Sequence, residues 1–250
     1  RVATMARVIK YPRQDEITAK LSAISNARVL WGGDETVTAI RRLPSQPRCR
    51  DVSFADRYSA ALINGDSLTD DKIAGLAERL YKDIHPFAQQ ACSSPRIILW
   101  LGDNSLAEAL FTALDEYFTD TPAINHRNEQ LVMAQSLRAL GAATSFRFYH
   151  TLSVVSCERI QPAHIELHAG HHSVWVVPVN ALNSLGAYLD GKVQTLTYWG
   201  LESSELVKFL QSPSIQGVDR LVPVGQALAF SPDWDGYELL SQLSRVISVE

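Results

Sequence analysis

Cys92 stands in the stretch Ile84-His85-Pro86-Phe87-Ala88-Gln89-Gln90-Ala91-Cys92-Ser93-Ser94-Pro95. A long amphipathic pattern runs into it, and the strand-like run Arg96-Ile97-Ile98-Leu99-Trp100-Leu101 follows. A thiolate among small neighbours can attack a carbonyl carbon. Backbone N–H groups at such a place can hold the oxyanion that forms. These residue types point to a covalent thiol catalyst at a helix end. The competing reading is a small buried hydrophobe, which is what most lone cysteines are. Cys49 lies between Arg48 and Arg50 in a polar, proline-rich loop, and Cys157 follows an apolar run and reads as structural.

His85 precedes Cys92 by seven residues, about two helical turns. It either faces the same site or is a surface histidine at a helix end. His168, His171 and His172 cluster beside Glu166. Histidines at those spacings hold a metal only on a helix, and Gly170 argues against one, so no metal site is expected. Trp31-Gly32-Gly33-Asp34 is a strand–turn–helix junction. Glycine there lets a ligand approach the backbone, or simply makes a tight turn. It is not a dinucleotide fingerprint. Asp34 and Glu35 would repel a closely held pyrophosphate.

The elements that must position these residues alternate between strand and helix. Arg28 to Trp31 reads as a strand, Asp34 to Ile40 as a helix and Tyr58 to Ile63 as a strand. Thr69 reads as an N-cap, followed by Asp70 and Asp71 in a first turn. Ile73, Leu76, Ala77, Leu80, Ile84 and Phe87 repeat at helical spacing, with Pro86 placed to kink the end. Ser105-x-x-Glu108 is a capping-box pattern ahead of a helix through Phe118. Asn128 is expected to cap a helix ending before Gly141. Strands are expected over Ser173 to Val179 and Val193 to Thr197, and helices over Ser203 to Leu210 and Tyr237 to Val246. This rhythm predicts an α/β protein with a parallel sheet.

The chain has 250 residues, 46% hydrophobic and 20% charged, enough for one large domain or two medium ones. A net charge of −4 and the absence of a basic stripe predict no nucleic-acid partner. No apolar stretch is long enough to span a bilayer, and no secretory signal stands at the start. The three cysteines are too few and too far apart for a disulfide framework. A reducing, cytoplasmic setting is expected, where a thiol stays available.

Three segments, in order, resemble the acyl-CoA reductase family of the aldehyde dehydrogenase superfamily, the type found in bacterial bioluminescence fatty acid reductase complexes. They are Val29 to Glu35, His85 to Pro95, and Arg220-Leu221-Val222-Pro223-Val224-Gly225 followed by Trp234-Asp235-Gly236. The resemblance spans nearly the whole chain. It implies an aldehyde dehydrogenase-like α/β fold, with residues 1–66 the end of a truncated Rossmann-like cofactor domain. Residues 67–224 would be the catalytic domain, and 225–250 a tail packing back on the cofactor domain or a partner.

The resemblance further implies that Cys92 takes the acyl group of a fatty acyl thioester, its own backbone N–H helping to hold the oxyanion. Gly32, Gly33 and Asp34 would lie beside the nicotinamide of NADPH, NADH being the other candidate. Trp199 and Gly200, with His85, would shape the site. Oxidising relatives carry a Glu-Leu-Gly-Gly motif whose glutamate activates water. The corresponding stretch here, Asp51 to Ser59, lacks it, with Asp56 the nearest substitute. The expected activity is NADPH-dependent reduction of the acyl thioester to an aldehyde. The alternatives are a CoA-acylating or oxidising aldehyde dehydrogenase, and an inactive interaction subunit. The expected partners are further copies of the chain or acyl-transferring subunits. The chain begins with Arg1 and resembles the C-terminal three-fifths of the family's enzymes, so a fragment that is inactive alone is expected.

Overall fold

A strand buried on both faces reads as a continuous apolar run, because neither side of the pleat meets water. Ala60-Ala61-Leu62-Ile63 and Ile97 to Leu101 are such runs, and both lie inside a mostly parallel sheet. The computed structural model describes residues 2–12, 14–213 and 215–250. It divides into two compact units, residues 1–56 with 237–250, and residues 57–236.

The first unit contains α1 (Val2–Met5), α2 (Asp15–Ile24), β1 (Ala27–Trp31), α3 (Asp34–Arg41) and β2 (Arg50–Phe54). β1 and β2 pair in parallel, joined through α3, a βαβ unit as the alternation predicts. The sequence pattern does not announce β2, because Arg50, Asp51 and Ser53 break its apolar run. Buried Arg28 knits the unit together. It makes a two-pronged ion pair with Asp51, both contacts at 2.6 Å, and donates to Ser22 Oγ at 2.9 Å and to the Ile40 carbonyl at 3.0 Å. Every prong has a partner, which a buried guanidinium requires.

In the second unit, seven described strands form one sheet. They are β3 (Tyr58–Asn64), β4 (Pro95–Leu101), β5 (Ala143–Phe148), β6 (Ser153–Cys157), β7 (Ser173–Val179), β8 (Val193–Trp199) and β9 (Arg220–Pro223). Their order is β5-β6-β7-β4-β3-β8-β9, parallel except for the β5–β6 pair. β3 is an inner strand of this sheet, and the two units part at residue 56.

The helices are α4 (Asp70–Ile84), α5 (Ala107–Asp115), α6 (Ile124–Ala139) and α7 (Ser203–Leu210). Leu62, Leu99, Trp175, Val177 and Leu196 face one side with α6 and α7. Ala61, Ile63, Ile98 and Trp100 face the other with α4 and α5. The period of two along each strand thus feeds two separate cores.

α4 carries the expected stripe, with Leu76, Ala77, Leu80 and Ile84 buried. Asp83 is buried among them and accepts from the Gly225 and Ala227 backbone N–H groups at 2.7 and 2.9 Å. Four expected elements differ. α6 starts at Ile124, capped at Ala123, so Asn128 lies inside the helix rather than at its start. α4 stops at Ile84, because Pro86 has no N–H to continue the ladder. Glu108 pairs with Arg147 instead of closing a capping box, and α5 starts two residues beyond Ser105. The last helix, in the first unit, is only α8 (Leu239–Leu243). Leu240, Leu243, Val246 and Ile247 are exposed, so no buried face extends it.

Candidate active site

Between α4 and β4 the backbone is forced into a conformation that L-residues avoid. Phe87, Ala88 and Gln89 all have positive φ, at 55°, 49° and 62°. Such residues persist only where their surroundings over-determine them, and they cluster at functional sites. Gln89 is the clamp. Fully buried, it donates to the Pro95 and Ser173 carbonyls at 2.9 and 2.6 Å and accepts from the Ser173 N–H at 2.7 Å. The His171 N–H donates to the Ala88 carbonyl at 2.9 Å.

This turn delivers Cys92 to the loop entering β4, eight residues beyond the end of α4, rather than to a helix end as expected. The Cys92 carbonyl accepts from Ser59 Oγ at 2.7 Å, and the same oxygen of Ser59 accepts from the Thr195 N–H at 3.1 Å. One hydroxyl therefore pins the cysteine turn to the starts of β3 and β8. Around the thiol lie Gln194 of β8, Asp235 and the backbone N–H groups of Cys92 and Ser93. Burial pushes the thiol up, and the Asp235 charge adds to this. The nearby Gln194 amide and the two backbone N–H groups pull it down by less, so the thiol stays above its ordinary value.

Asp235 follows β10 (Asp233–Trp234) in a turn where Asp235 and Gly236 both have positive φ. Its buried carboxylate, raised by burial, ion-pairs with Arg57 at 3.2 Å. Arg57 also pairs with Asp219 at 2.6 Å and donates to the Lys192 and Val193 carbonyls. Arg220 lies over the Trp234 ring at 4.2 Å and donates to the Ala227 and Ala229 carbonyls. Sequence reasoning singles out none of Gln194, Arg57, Ser59 or Gln89. One signal was available: Gln194 is the one amide in a buried strand of apolar and threonine residues.

The other expected residues lie elsewhere. His85 stacks on Tyr81 at 4.6 Å and neighbours His172 at 5.6 Å and Phe118 at 5.8 Å. No hydrogen bond, ion pair or ring contact joins it to Cys92 among the described residues. Trp199 ends β8 and Gly200 follows it, five and six residues beyond Gln194. At about 3.3 Å per residue that is roughly 16 Å away, at the opposite end of the sheet. With Ser67, Lys72 and Arg79 they line a cavity of about 410 Å³.

The glycine turn lies in the first unit. Gly32 donates to the Phe54 carbonyl at 3.1 Å. Asp34 and Asp56 embrace, the Asp34 N–H donating to Asp56 Oδ2 at 3.0 Å and the Asp56 N–H to Asp34 Oδ1 at 3.1 Å. A Cβ at Gly33 would press on Asp56, whereas one at Gly32 would meet only ordinary contacts.

The histidine loop braces the strained turn. Burial lowers His168 to about 3 and His172 to about 4, so both are neutral at ordinary pH. His171 pairs with Glu129 at 2.8 Å and stacks on His126 at 3.8 Å. No group of three potential metal ligands converges among the described residues. No helix among them is long and apolar enough to cross a membrane.

The fold is that of the aldehyde dehydrogenases. An AldH protein of Staphylococcus aureus in a substrate-bound state superposes with a TM-score of 0.60 at 12% identity, covering 86% of this chain and 50% of that one. A 1-pyrroline-5-carboxylate dehydrogenase variant of Thermus thermophilus gives 0.60 at 12% identity, covering 91% and 49%. A propionaldehyde dehydrogenase of the Clostridium phytofermentans fucose utilisation microcompartment gives 0.56 at 9%, covering 86% and 51%. The chain thus spans about half the length of these solved structures. Comparison with curated proteins gives no match. The family model for acyl-CoA reductase (LuxC) matches residues 1–246, and the chain belongs to that family.

Proposed function

We propose that this chain carries the acyl-accepting centre of an NAD(P)-dependent oxidoreductase that reduces a fatty acyl thioester to the aldehyde, with Cys92 as the nucleophile. The observation that carries this reading is the Cys92 turn itself. A strained, clamped backbone presents a thiol toward which two backbone N–H groups and a buried amide converge. Cys92 Sγ bonds to the acyl carbon, and the bond from that carbon to the carrier sulfur breaks. The thiol proton leaves with the carrier thiolate. The Cys92 N–H stabilises the oxyanion between these events.

The glycine turn fits the flat ring of a nicotinamide better than a phosphate. Gly32 presents bare backbone, while the Asp56 carboxylate already takes the Asp34 N–H at the start of α3. Gly32, Gly33 and Asp34 would flank that ring, NADPH being the preferred form. A bound nicotinamide would supply hydride to the thioester carbon, with Cys92 Sγ as the group that leaves. Asp56 is committed to bracing this turn, so it is a poor base for activating water. A thioester with no base to hydrolyse it survives long enough to be reduced.

Labelled acyl-CoA incubated with the protein should leave a covalent adduct that is absent in Cys92→Ala. An undiminished adduct in that variant overturns the proposal. Acid rather than aldehyde as product, when the nicotinamide is added, would select the oxidising alternative.

A further inference from the structure

Three glutamines are fully buried in the second unit: Gln89, Gln130 and Gln194. Two are satisfied by their neighbours. Gln89 makes the three bonds described above, and Gln130 donates to the Thr151 and His171 carbonyls at 3.1 and 2.6 Å and accepts from Arg127 at 2.8 Å. Gln194 differs. Its side chain faces the Cys92 thiol and the Asp235 carboxylate as a donor. Neither end of the amide closes a well-formed hydrogen bond among the described residues. A buried amide left so open is expensive unless it has work to do.

Geometry limits which way this amide points. Thr195, the next residue, is tied through Ser59 Oγ to the Cys92 carbonyl, so the start of β8 cannot drift from the cysteine turn. Asp235 is ion-paired to Arg57, and a carboxylate only accepts hydrogen bonds. The Gln194 side chain must therefore turn its nitrogen, not its oxygen, toward Asp235. An amide nitrogen carries two N–H groups. With one directed at the carboxylate, the other is left for the sulfur. The charged groups facing this centre are Asp235 and Arg220, with Arg57 and Asp219 behind Asp235.

We propose that Gln194 is a catalytic residue, its amide N–H stabilising the negative charge on Cys92 Sγ, and that Asp235 and Arg57 are positioning residues that orient the amide. The proposal rests on Cys92 being the reacting thiol. As the thiol proton leaves for the carrier thiolate, Gln194 lends a hydrogen bond and transfers no proton. When Sγ departs from the reduced carbon, the same N–H receives the returning charge.

The test is the rate of Cys92 alkylation by iodoacetamide as a function of pH, followed by peptide mass spectrometry. Gln194→Met removes the donor at similar size and should move the titration midpoint up by about one pH unit, a roughly tenfold slower reaction below it. Gln194→Glu should move it further, because a second carboxylate then faces the sulfur. Asp235→Asn removes a negative charge, which lowers the midpoint, and releases the amide, which raises it; in a Gln194→Met background only the first effect is left, so the downward move should be larger there than in the wild type. A midpoint unmoved in the two Gln194 variants, with circular dichroism unchanged, overturns Gln194's role. Equal shifts from Asp235→Asn in the wild type and in the Gln194→Met background overturn the orienting pair. Alkylation needs no acyl donor. Shifted midpoints in a protein that forms no adduct with acyl-CoA would refute the acyl-transfer function and leave Gln194's action on the sulfur standing.

Discussion

The three cysteines differ by environment alone. Cys157 is 1% exposed, and burial pushes its thiol to about 12. Cys49 and Cys92 are partly exposed. In native protein at pH 8, iodoacetamide should label Cys49 first, Cys92 more slowly because burial and Asp235 hold its thiol up, and leave Cys157 unmodified until denaturant is added. Peptide mapping checks this, and early labelling of Cys157 would contradict the burial described here. Ser59 is the second residue-scale lever, since its hydroxyl serves both the Cys92 carbonyl and the Thr195 N–H. Ser59→Ala leaves both groups without a partner. It should cost about 1–3 kcal/mol in urea unfolding and slow acylation of Cys92 more than it slows iodoacetamide labelling. Labelling needs only a thiolate, whereas acylation needs a placed one.

At the scale of elements, the turn from Phe87 to Gln89 stores strain and α4 carries a buried charge. Ala88 has φ 49° and ψ 39°, the left-handed region. Glycine at that position relieves strain on the order of 1 kcal/mol, offset in part by greater freedom in the unfolded chain. Ala88→Gly should therefore raise stability by about 0.5 kcal/mol. A clear loss of stability by thermal unfolding would show that the turn is not strained.

Asp83 contributes a pH dependence. Burial raises its carboxyl from 3.8 to about 6 despite two backbone donors and the nearby Arg220. A carboxyl raised above its unfolded value adds stability that is fully present below about pH 4 and is lost as pH rises through about 6. A displacement of that size corresponds to about 3 kcal/mol as an upper figure. Asp83→Asn breaks one backbone bond and should be less stable overall. Its stability should also fall less between acid and neutral pH than that of the wild type. Equal slopes would show that Asp83 stays ionised throughout.

For the whole molecule, the second unit rests on two cores divided by one sheet, and the inner strands β3 and β4 serve both. Leu62 and Leu99 are directly paired in register and 0% exposed. Either residue changed to alanine should cost about 2–5 kcal/mol by chemical denaturation. The half-buried Trp199, at the end of β8 in the same sheet, should cost less. An equal cost at Trp199 would mean that its end of the sheet is packed as tightly as the middle.

Much of this architecture is legible in one dimension. β3, β4 and β7 are mostly apolar runs, and α4 has a clean helical period with acidic residues at its start. Patterns of this kind report burial directly, because a strand or helix must present its apolar atoms to something. β2 and β5 are not legible in this way, since their polar residues hide the alternation. Cys92 can be picked out because thiols are few and its flanks are unusual. Its surroundings cannot. Gln194 is 102 positions away and Asp235 is 143, and Arg57 reaches Asp235 across most of the unit. Local periodicity is set by backbone geometry over a few residues, so it shows which elements form and which faces they bury. Which side chains meet at the end of a parallel sheet is set by strand order and register. The tertiary structure alone decided that a buried amide, beside an ion pair, faces the sulfur of Cys92, while His85 and Trp199 do not.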